Sequence, residues 1–221
     1  VPVVKLTRVF RQEEGSSIAE NACRIDNAKT DLLFDDDFMF LSAANQEEAM
    51  YMICALYKQA VPAHGRDQVQ ILTPVRKDSH LCGVVNLNSV IQRMMQADPE
   101  VGFYHFGNYF CDGDPVIQIK NADGIYNGEI GVVAEAEPDK VHVQFTGAEA
   151  LTTYTSENAG LLELAYSLTV HKSQGSEFPL VIIPVLKEHI FMLTRNLLYT
   201  AITRAKCRVV LVGNLWALKK A

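Results

Sequence analysis

The sequence predicts an α/β protein in which a parallel sheet flanked by helices carries an inserted, small antiparallel β domain. Strand-like and helix-like segments alternate up to residue 106, which is typical of a parallel sheet covered by helices. Turn residues and short alternating segments then dominate residues 107–163, and the α/β pattern returns from 164 to 221. We therefore predict an α/β domain over 1–106 and 164–221, interrupted by a β domain over 107–163.

The first elements follow from local signals. VVKLTRVF, at residues 3–10, is rich in strand-forming residues. Ser17 and Glu20 have the spacing of a capping box, and they predict a helix that runs to about Asn27.

The next elements continue the alternation. FMFL, at residues 38–41, predicts a short buried strand, and the apolar residues after Asn45 recur at helical spacing up to Pro62. VQILT predicts a strand that stops at Pro74. The apolar face of GVVNLNSVIQRMMQ, at residues 83–96, predicts another helix.

The later elements have two characters. PVIQIK, GEIGVVAE and KVHVQF are short strands separated by Asn, Asp and Gly, as in a small antiparallel sheet. LAYSLTV and PLVIIPV then predict buried strands on either side of a turn at HKSQG. RNLLYTAITRAK predicts a helix that includes Arg204, and CRVVLVG predicts a closing strand.

Composition narrows the function classes. The 221 residues are 48% hydrophobic with a formal net charge of −6, which argues against a protein that coats nucleic acid by charge alone. The five cysteines are scattered without Cys-x-x-Cys spacing, which suggests reduced thiols in a cytosolic protein, with neither a zinc site nor a disulfide framework. No apolar run approaches the length of a membrane span. Because the chain starts at Val1 without methionine, we expect it to be a piece of a longer protein.

Four polar clusters stand at ends of predicted strands or on the adjoining helix: LTRVFRQ (6–12), LTPVRK (72–77), TVHKSQGSEF (169–178) and YTAITRAK (199–206). Ligands of a parallel α/β sheet gather at its carboxyl edge, so we expect one shared site there. Each cluster alone has a structural alternative. Arg11 could be a solvated surface residue, Arg204 a core-edge residue with a snorkelling stem, and His171 a structural histidine.

These clusters resemble the motifs of one family. TVHKSQGSEF and LLYTAITRAK resemble motifs V and VI of RecD-like superfamily 1 helicases, and LTRVFRQ resembles motif IV. ILTPVRK resembles the segment of the second motor domain that lies along the nucleic-acid strand. GDPVIQIKNADGIYNGEIGVV resembles the small SH3-like insertion called 2B. The resemblance implies a RecA-like second motor domain, 2A, with a 2B insertion, from a 5′→3′ DNA helicase similar to the α subunit of exodeoxyribonuclease V.

The resemblance also implies residue roles. Arg11 and Arg204 correspond to two arginine fingers, and an ATP site would include Gln12, Gly175 and Glu177. Contacts to single-stranded DNA are implied for Thr73, Pro74, Arg76, Thr169, His171, Lys172 and Ser173.

The partners and cofactors follow from the same resemblance. There is no Gly-Lys dipeptide of a Walker A loop, so the ligands of ATP-bound Mg²⁺ are expected in an N-terminal motor domain of the same parent chain, and this chain alone should be inactive as an ATPase. No residue here is expected to bind a metal. Single-stranded DNA and RecBC-type subunits are the other implied partners, with no membrane involved.

A second reading stays open. The chain could be a non-catalytic module that binds nucleic acid or a partner on a helicase-like fold. A Walker A sequence upstream in the parent gene would favour the motor. A third reading, an α/β hydrolase or transferase, is disfavoured because the sequence has no Gly-x-Ser-x-Gly elbow.

Overall fold

A computed structural model describes residues 16–96, 102–122 and 124–221. The predicted strand at 3–10, with Arg11 and Gln12, lies outside the described residues. No helix within the described ranges is both long enough and apolar enough to cross a bilayer.

A five-stranded, fully parallel sheet forms the centre of the α/β part, as predicted. Its strands are β1 (Phe38–Ser42), β2 (Val69–Thr73), β10 (Ser167–Thr169), β11 (Phe178–Val185) and β12 (Ala205–Gly213), in the order β1-β12-β11-β2-β10. β11 and most of β12 are buried because they occupy the interior of the sheet, where both faces are covered.

Helices cover both faces of this sheet. The helices are α1 (Ser17–Asp26), α2 (Gln46–His64), α3 (Val84–Met95), α4 (Arg195–Ile202) and α5 (Leu215–Lys220). One apolar cluster joins α2 and α3 to alternate residues of β11 such as Ile182. The intervening residues, such as Val181, pack with α1, α4 and α5 in a second cluster. Period-two alternation along the strand therefore builds two separate cores.

Two helix ends differ from the sequence prediction. The N-cap of α1 is Ser16, whose Oγ accepts from the amide of Ile18 at 3.3 Å, while Ser17 donates its hydroxyl to Asp35. α2 continues through Pro62 to His64 and is capped by Gly65, which has φ +94°. Pro62 lies in the last turn of the helix, and its missing N–H removes one intrahelical hydrogen bond.

The antiparallel sheet also has five strands, none shared with the parallel sheet. They are β5 (Pro115–Gln118), β6 (Ile130–Ala136), β7 (Lys140–Phe145), β8 (Thr152–Thr155) and β9 (Leu162–Leu164), in the order β8-β7-β6-β5-β9. A hairpin of β3 (Phe103–His105) and β4 (Asn108–Phe110) precedes them. The domain boundaries at 107 and 163 stay a prediction.

LAYSLTV is not one strand, contrary to expectation. Leu164 ends β9 in the antiparallel sheet, whereas Ser167 begins β10 in the parallel sheet. Asn88 of α3 fixes the segment where the chain passes from one sheet to the other. It donates a hydrogen bond to the Leu164 carbonyl at 2.9 Å and accepts one from the Ser167 amide at 2.7 Å. Local hydrophobicity predicted a continuous strand, but these long-range bonds divide it.

Asp114 is a second polar link between the two sheets, and it is fully buried. Its carboxylate accepts hydrogen bonds from the Tyr166 hydroxyl at 2.6 Å and the Cys111 amide at 2.9 Å, and also from the side-chain amides of Gln92 and Gln96. Burial raises the pKa of Asp114 and outweighs these hydrogen bonds, which act in the opposite direction. One carboxylate thus ties α3, β4 and the entry to β10 together.

His189, in the short turn after β11, gives the fold an acid-sensitive position. Its ring is fully buried, 5.5 Å from the ring of His80. Burial, with a smaller contribution from His80, lowers the pKa of His189 to about 4, against opposing effects of Glu188 and a backbone carbonyl. An unfolded chain takes up this proton near pH 6.5. The contribution of the neutral His189 ring to the free energy of unfolding is therefore fully present above pH 6.5. It is lost as the pH falls towards 4, which lowers the free energy of unfolding by about 3 kcal/mol.

We expect His189→Phe to flatten the loss of stability between pH 6.5 and pH 4, because phenylalanine has no proton to bind. Denaturant unfolding at pH 7 and at pH 4.5 measures the difference, and His64→Phe on the exposed end of α2 is the control. An unchanged pH dependence in the His189→Phe variant would show that another group governs the acid response.

Candidate functional site

Within the described part of the chain, the predicted site residues fall at two opposite edges of the parallel sheet. Thr73 and Thr169 end β2 and β10 and face each other in register at the carboxyl edge. Glu177 directly precedes β11 and Arg204 directly precedes β12, so both lie at the amino edge. The expectation of one shared site at the carboxyl edge is therefore wrong.

Arg204 lies after the end of α4, whereas the sequence pattern predicted it inside a helix. α4 ends at Ile202, and the chain enters β12 at Ala205. α4 begins after the carboxyl end of β11 and leads to the start of a parallel strand. Parallel connectivity therefore carries Arg204 to the amino edge.

Two of the hydroxyl groups that are predicted to contact single-stranded DNA donate hydrogen bonds to carbonyl groups of the protein itself. Thr73 Oγ1 donates to the Cys82 carbonyl at 2.7 Å, and Ser173 Oγ donates to the Val170 carbonyl at 2.8 Å. Both residues are fully buried, and Pro74 is buried beside them. In this conformation the two hydroxyls stabilise the turns at the carboxyl edge, and their contact with a nucleic acid stays a prediction.

Three accessible residues of the carboxyl edge have basic side chains. His171 is exposed, and the side chains of Arg76 and Lys172 are 50% and 32% exposed. Thr169 is partly buried at the end of β10. These four are the predicted contacts that a strand could reach from solvent.

Glu163 of β9, which no sequence motif identified, binds two of these cations. Its Oε1 and Oε2 accept from both terminal nitrogens of Arg76 at 2.9 and 2.8 Å, and Oε2 also accepts from Lys172 Nζ at 2.8 Å. Burial opposes ionisation of Glu163, but the hydrogen bonds from Arg76 and Lys172 outweigh it and lower its pKa. Glu163 alternates with buried Leu162 and Leu164, so its outward orientation was predictable, but its cationic neighbours were not.

A groove of about 570 Å³ runs from this ion-pair cluster between α3 and the β3–β4 hairpin. Its walls carry Arg76, Glu163, Ser89, Arg93, Asn108 and Tyr109. Guanidinium, hydroxyl, amide and aromatic groups together suit phosphate and base contacts.

At the amino edge, Arg204 is 9% exposed. Its Nε donates to the Thr200 carbonyl and its Nη1 donates to the Ser176 carbonyl, both at 3.3 Å. Glu177 is exposed, and one of its carboxylate oxygens lies 3.5 Å from Lys206 Nζ. Gly175 has φ +96°, a conformation that favours glycine.

A cleft of about 390 Å³, lined by Gly175 and Glu177 but not by Arg204, lies between the 174–178 segment and the β5–β6 turn of the antiparallel sheet. Its lining includes the carboxylates of Asp67, Glu129 and Glu177. Glu177 can accept from a sugar hydroxyl, and Arg204 can supply a guanidinium next to Ser176. Three carboxylates do not make a cradle for a triphosphate, so these residues fit only one side of a nucleotide site.

One cluster of metal-binding side chain types occurs within the described ranges. Glu135, Glu137 and His142 lie on β6, β7 and the turn between them, in the antiparallel sheet. Glu137 already pairs with Lys140 at 2.9 Å, and we assign the cluster no functional role.

The segment 170–177 connects the two edges. Thr169 lies level with Thr73 at the end of β2, whereas Leu180 lies level with Val69 at its beginning. The chain therefore crosses β2 and moves back along it by roughly 13 Å, at about 3.3 Å per residue. His171 lies near the beginning of this segment and Glu177 at its end.

Comparison with known proteins gives concordant results. The profile of the UvrD-like helicase C-terminal domain matches residues 164–212. The chain is 32% identical over 215 residues to the ATP-dependent RecD2 DNA helicase of Deinococcus radiodurans, covering 96% of this chain and 29% of that protein. It is 34% identical over 156 residues to the RecBCD enzyme subunit RecD of Mycolicibacterium smegmatis, covering 66% of this chain and 27% of the subunit.

Solved structures share the fold. A Pif1 helicase from Bacteroides, in complex with ADP-AlF3 and ssDNA, superposes with a TM-score of 0.57 at 18% identity, over 94% of this chain and 51% of that one. Pif1 from Candida albicans gives a TM-score of 0.56 at 15% identity, over 96% and 57%. The chain spans less than a third of the two sequence relatives. It is a homologue of the RecD-like superfamily 1 helicases and contains a UvrD-like helicase C-terminal domain.

Proposed function

We propose that this chain is the second motor domain of an ATP-dependent, RecD-like 5′→3′ DNA helicase acting in the cytoplasm. It contributes Arg204, together with Arg11, to an ATP site, and it forms part of a groove for single-stranded DNA. The N-terminal motor domain of the same parent chain completes the ATP site and holds Mg²⁺. Alone, these 221 residues hydrolyse no ATP.

The observation that carries the proposal is the course of segment 170–177. His171 and Lys172 begin it at the carboxyl edge, among cations, and Gly175 and Glu177 end it at the amino edge, beside Arg204. A motor must couple nucleotide state to its grip on the strand. A single short segment shared by both edges supports such coupling.

The amino edge suits the nucleotide. ATP supplies a phosphoryl group whose transfer spreads charge over its equatorial oxygens. Arg204 provides a planar guanidinium for such charge, and Glu177 provides an acceptor for a ribose hydroxyl. The relative from Deinococcus is described as ATP-dependent, and a Pif1 neighbour binds ADP-AlF3.

The carboxyl edge of the parallel sheet suits single-stranded DNA. Arg76, Lys172 and His171 offer donors to backbone phosphates, and the groove beside α3 extends their surface. A net charge of −6 is compatible with this role, since a groove needs only a few phosphate contacts. Relatives named as RecBCD subunits support RecBC-type subunits as further partners.

We expect simultaneous replacement of Thr169, His171 and Arg76 by alanine in the complete protein to weaken binding of a single-stranded oligonucleotide at least about tenfold. The dependence of affinity on salt should also become shallower, because fewer counterions are released. Titration of labelled oligo(dT) at several salt concentrations measures both.

Lys219→Ala, on the exposed end of α5, is the control and should change neither value. Unchanged strand affinity in the correctly folded triple variant would refute the nucleic-acid part of the proposal.

A further inference from the structure

Glu163 occupies the place between two cations where a backbone phosphate would be expected to bind. Its two oxygens meet the two terminal nitrogens of Arg76 in a bidentate pair, and the ammonium of Lys172 completes three contacts of 2.8–2.9 Å. A phosphate presents the same feature to such cations: paired oxygens that match the fork of a guanidinium.

The charges support the same comparison. The pKa of Glu163 is lowered, so the carboxylate is ionised at neutral pH and offsets one of the two positive charges. A phosphate that approaches Arg76 and Lys172 therefore meets a net charge of about +1 instead of +2, together with a like charge at close range.

The backbone of Glu163 is fixed, whereas its cationic partners extend from loops. Glu163 pairs with Ile117 in the antiparallel ladder, between the buried Leu162 and Leu164. Arg76 follows β2 and Lys172 follows β10, both outside regular strands. The arginine and lysine side chains can turn towards a ligand while the carboxylate stays in place.

The cluster of Arg76, Lys172 and Glu163 lies at the groove that could bind a ligand. Arg76 and Glu163 line the 570 Å³ groove along α3, and half of the Arg76 side chain is open to solvent. The carboxylate therefore sits where a strand would enter the groove.

We propose that the Glu163 carboxylate competes with a backbone phosphate of single-stranded nucleic acid for binding to Arg76 and Lys172. The inference rests on the proposed strand-binding function of this edge and adds a residue that limits its affinity. Binding replaces a carboxylate contact with a phosphate contact, and release restores the carboxylate contact. The exchange shortens the lifetime of each grip, as a moving motor requires.

Glu163→Gln in the complete protein tests the proposal, because glutamine keeps the shape and removes the charge. We expect oligo(dT) to bind about 3- to 10-fold more tightly at low salt, chiefly through slower dissociation. The salt dependence should steepen by up to about 0.7 in the log–log slope for each further counterion released. Glu157→Gln, an exposed acid of the same antiparallel domain, is the matched control and should alter neither quantity.

A double-mutant cycle distinguishes failure of the competitor role from failure of the proposed binding site for single-stranded DNA. Arg76→Ala should weaken binding in the wild-type background and should abolish most of the gain in the Glu163→Gln background. Unchanged binding by folded Glu163→Gln would overturn the competitor role, because the carboxylate would then not limit affinity. Weaker binding would overturn it too, because Glu163 would then orient the cations for the nucleic acid. If Arg76→Ala and Lys172→Ala leave binding unchanged in the wild-type background, the proposed strand site itself fails. Glu163→Thr, which suits a strand, provides the same comparison should the glutamine variant not fold.

Discussion

Arg204→Lys should lower the ATP turnover of the complete protein by at least about 10²-fold, a conservative value for loss of an arginine finger. Lysine keeps the positive charge but loses the planar fork that spans two phosphate oxygens. Nucleotide affinity should change much less, because an arginine finger acts on charge that develops in the transition state.

The structure also gives Arg204 a supporting role that the experiment must separate. Its Nε donates to the carbonyl of Thr200 in α4, and its Nη1 donates to the carbonyl of Ser176, just before β11. Loss of these neutral-acceptor bonds alone should cost on the order of 1–3 kcal/mol of stability and shift the melting temperature by a few degrees.

Steady-state hydrolysis with saturating single-stranded DNA, nucleotide binding and thermal melting should therefore be measured on the same preparation. Arg195→Lys, exposed at the start of α4, is the matched control and should retain turnover. Turnover close to normal, or a loss no larger than the fraction of unfolded protein, would leave Arg204 with its structural role only.

Asp114→Ala should destabilise the fold by at least about 3 kcal/mol, which is large for a single substitution. The change removes the acceptor of four hydrogen bonds and leaves the Tyr166 hydroxyl and the Cys111 amide buried near an empty space. The expected fall in melting temperature is roughly 6 °C or more for a chain of this size.

Asp114→Asn should have an intermediate effect. The amide oxygen still accepts hydrogen bonds as one carboxylate oxygen did. The amide nitrogen replaces the other carboxylate oxygen, and because it is itself a donor it cannot accept from the donors around it. Denaturant unfolding of both variants, with exposed Asp139→Ala as the control, measures the series. Equal stability of Asp114→Ala and the wild type would mean that the junction between the sheets does not depend on this carboxylate.

Local patterns predicted the regular elements well. FMFL, VQILT and PLVIIPV became β1, β2 and β11, because short apolar runs bounded by turn residues have few alternatives in an α/β chain. Tertiary contacts account for the errors. Asn88 splits LAYSLTV between two sheets, and the course of the chain after α4 moves Arg204 out of the helix and to the other edge.

The candidate site was predictable by residue type but not by arrangement. Sequence motifs identified Arg76, Lys172 and Glu177, whose chemistry suits ligands. They did not identify Glu163, since its pairing with Arg76 spans 87 positions of sequence and depends on how the antiparallel sheet packs against the parallel one. Thr73 and Ser173 look like exposed polar residues in the sequence, but their hydroxyls satisfy buried carbonyls.

The interior position of β12 governs the order in which the sheet can assemble during synthesis. Among the described strands, β1 pairs with β12 and with no other, and β12 also covers one side of β11. Until residues 205–213 leave the ribosome, β1 therefore lacks its one partner among the described strands, and the β11 edge that β12 covers is open. Such unpaired edges favour aggregation. A nascent chain or truncated product that ends before Ala205 should therefore depend on chaperones, and the parallel sheet can close only after its last strand has been made.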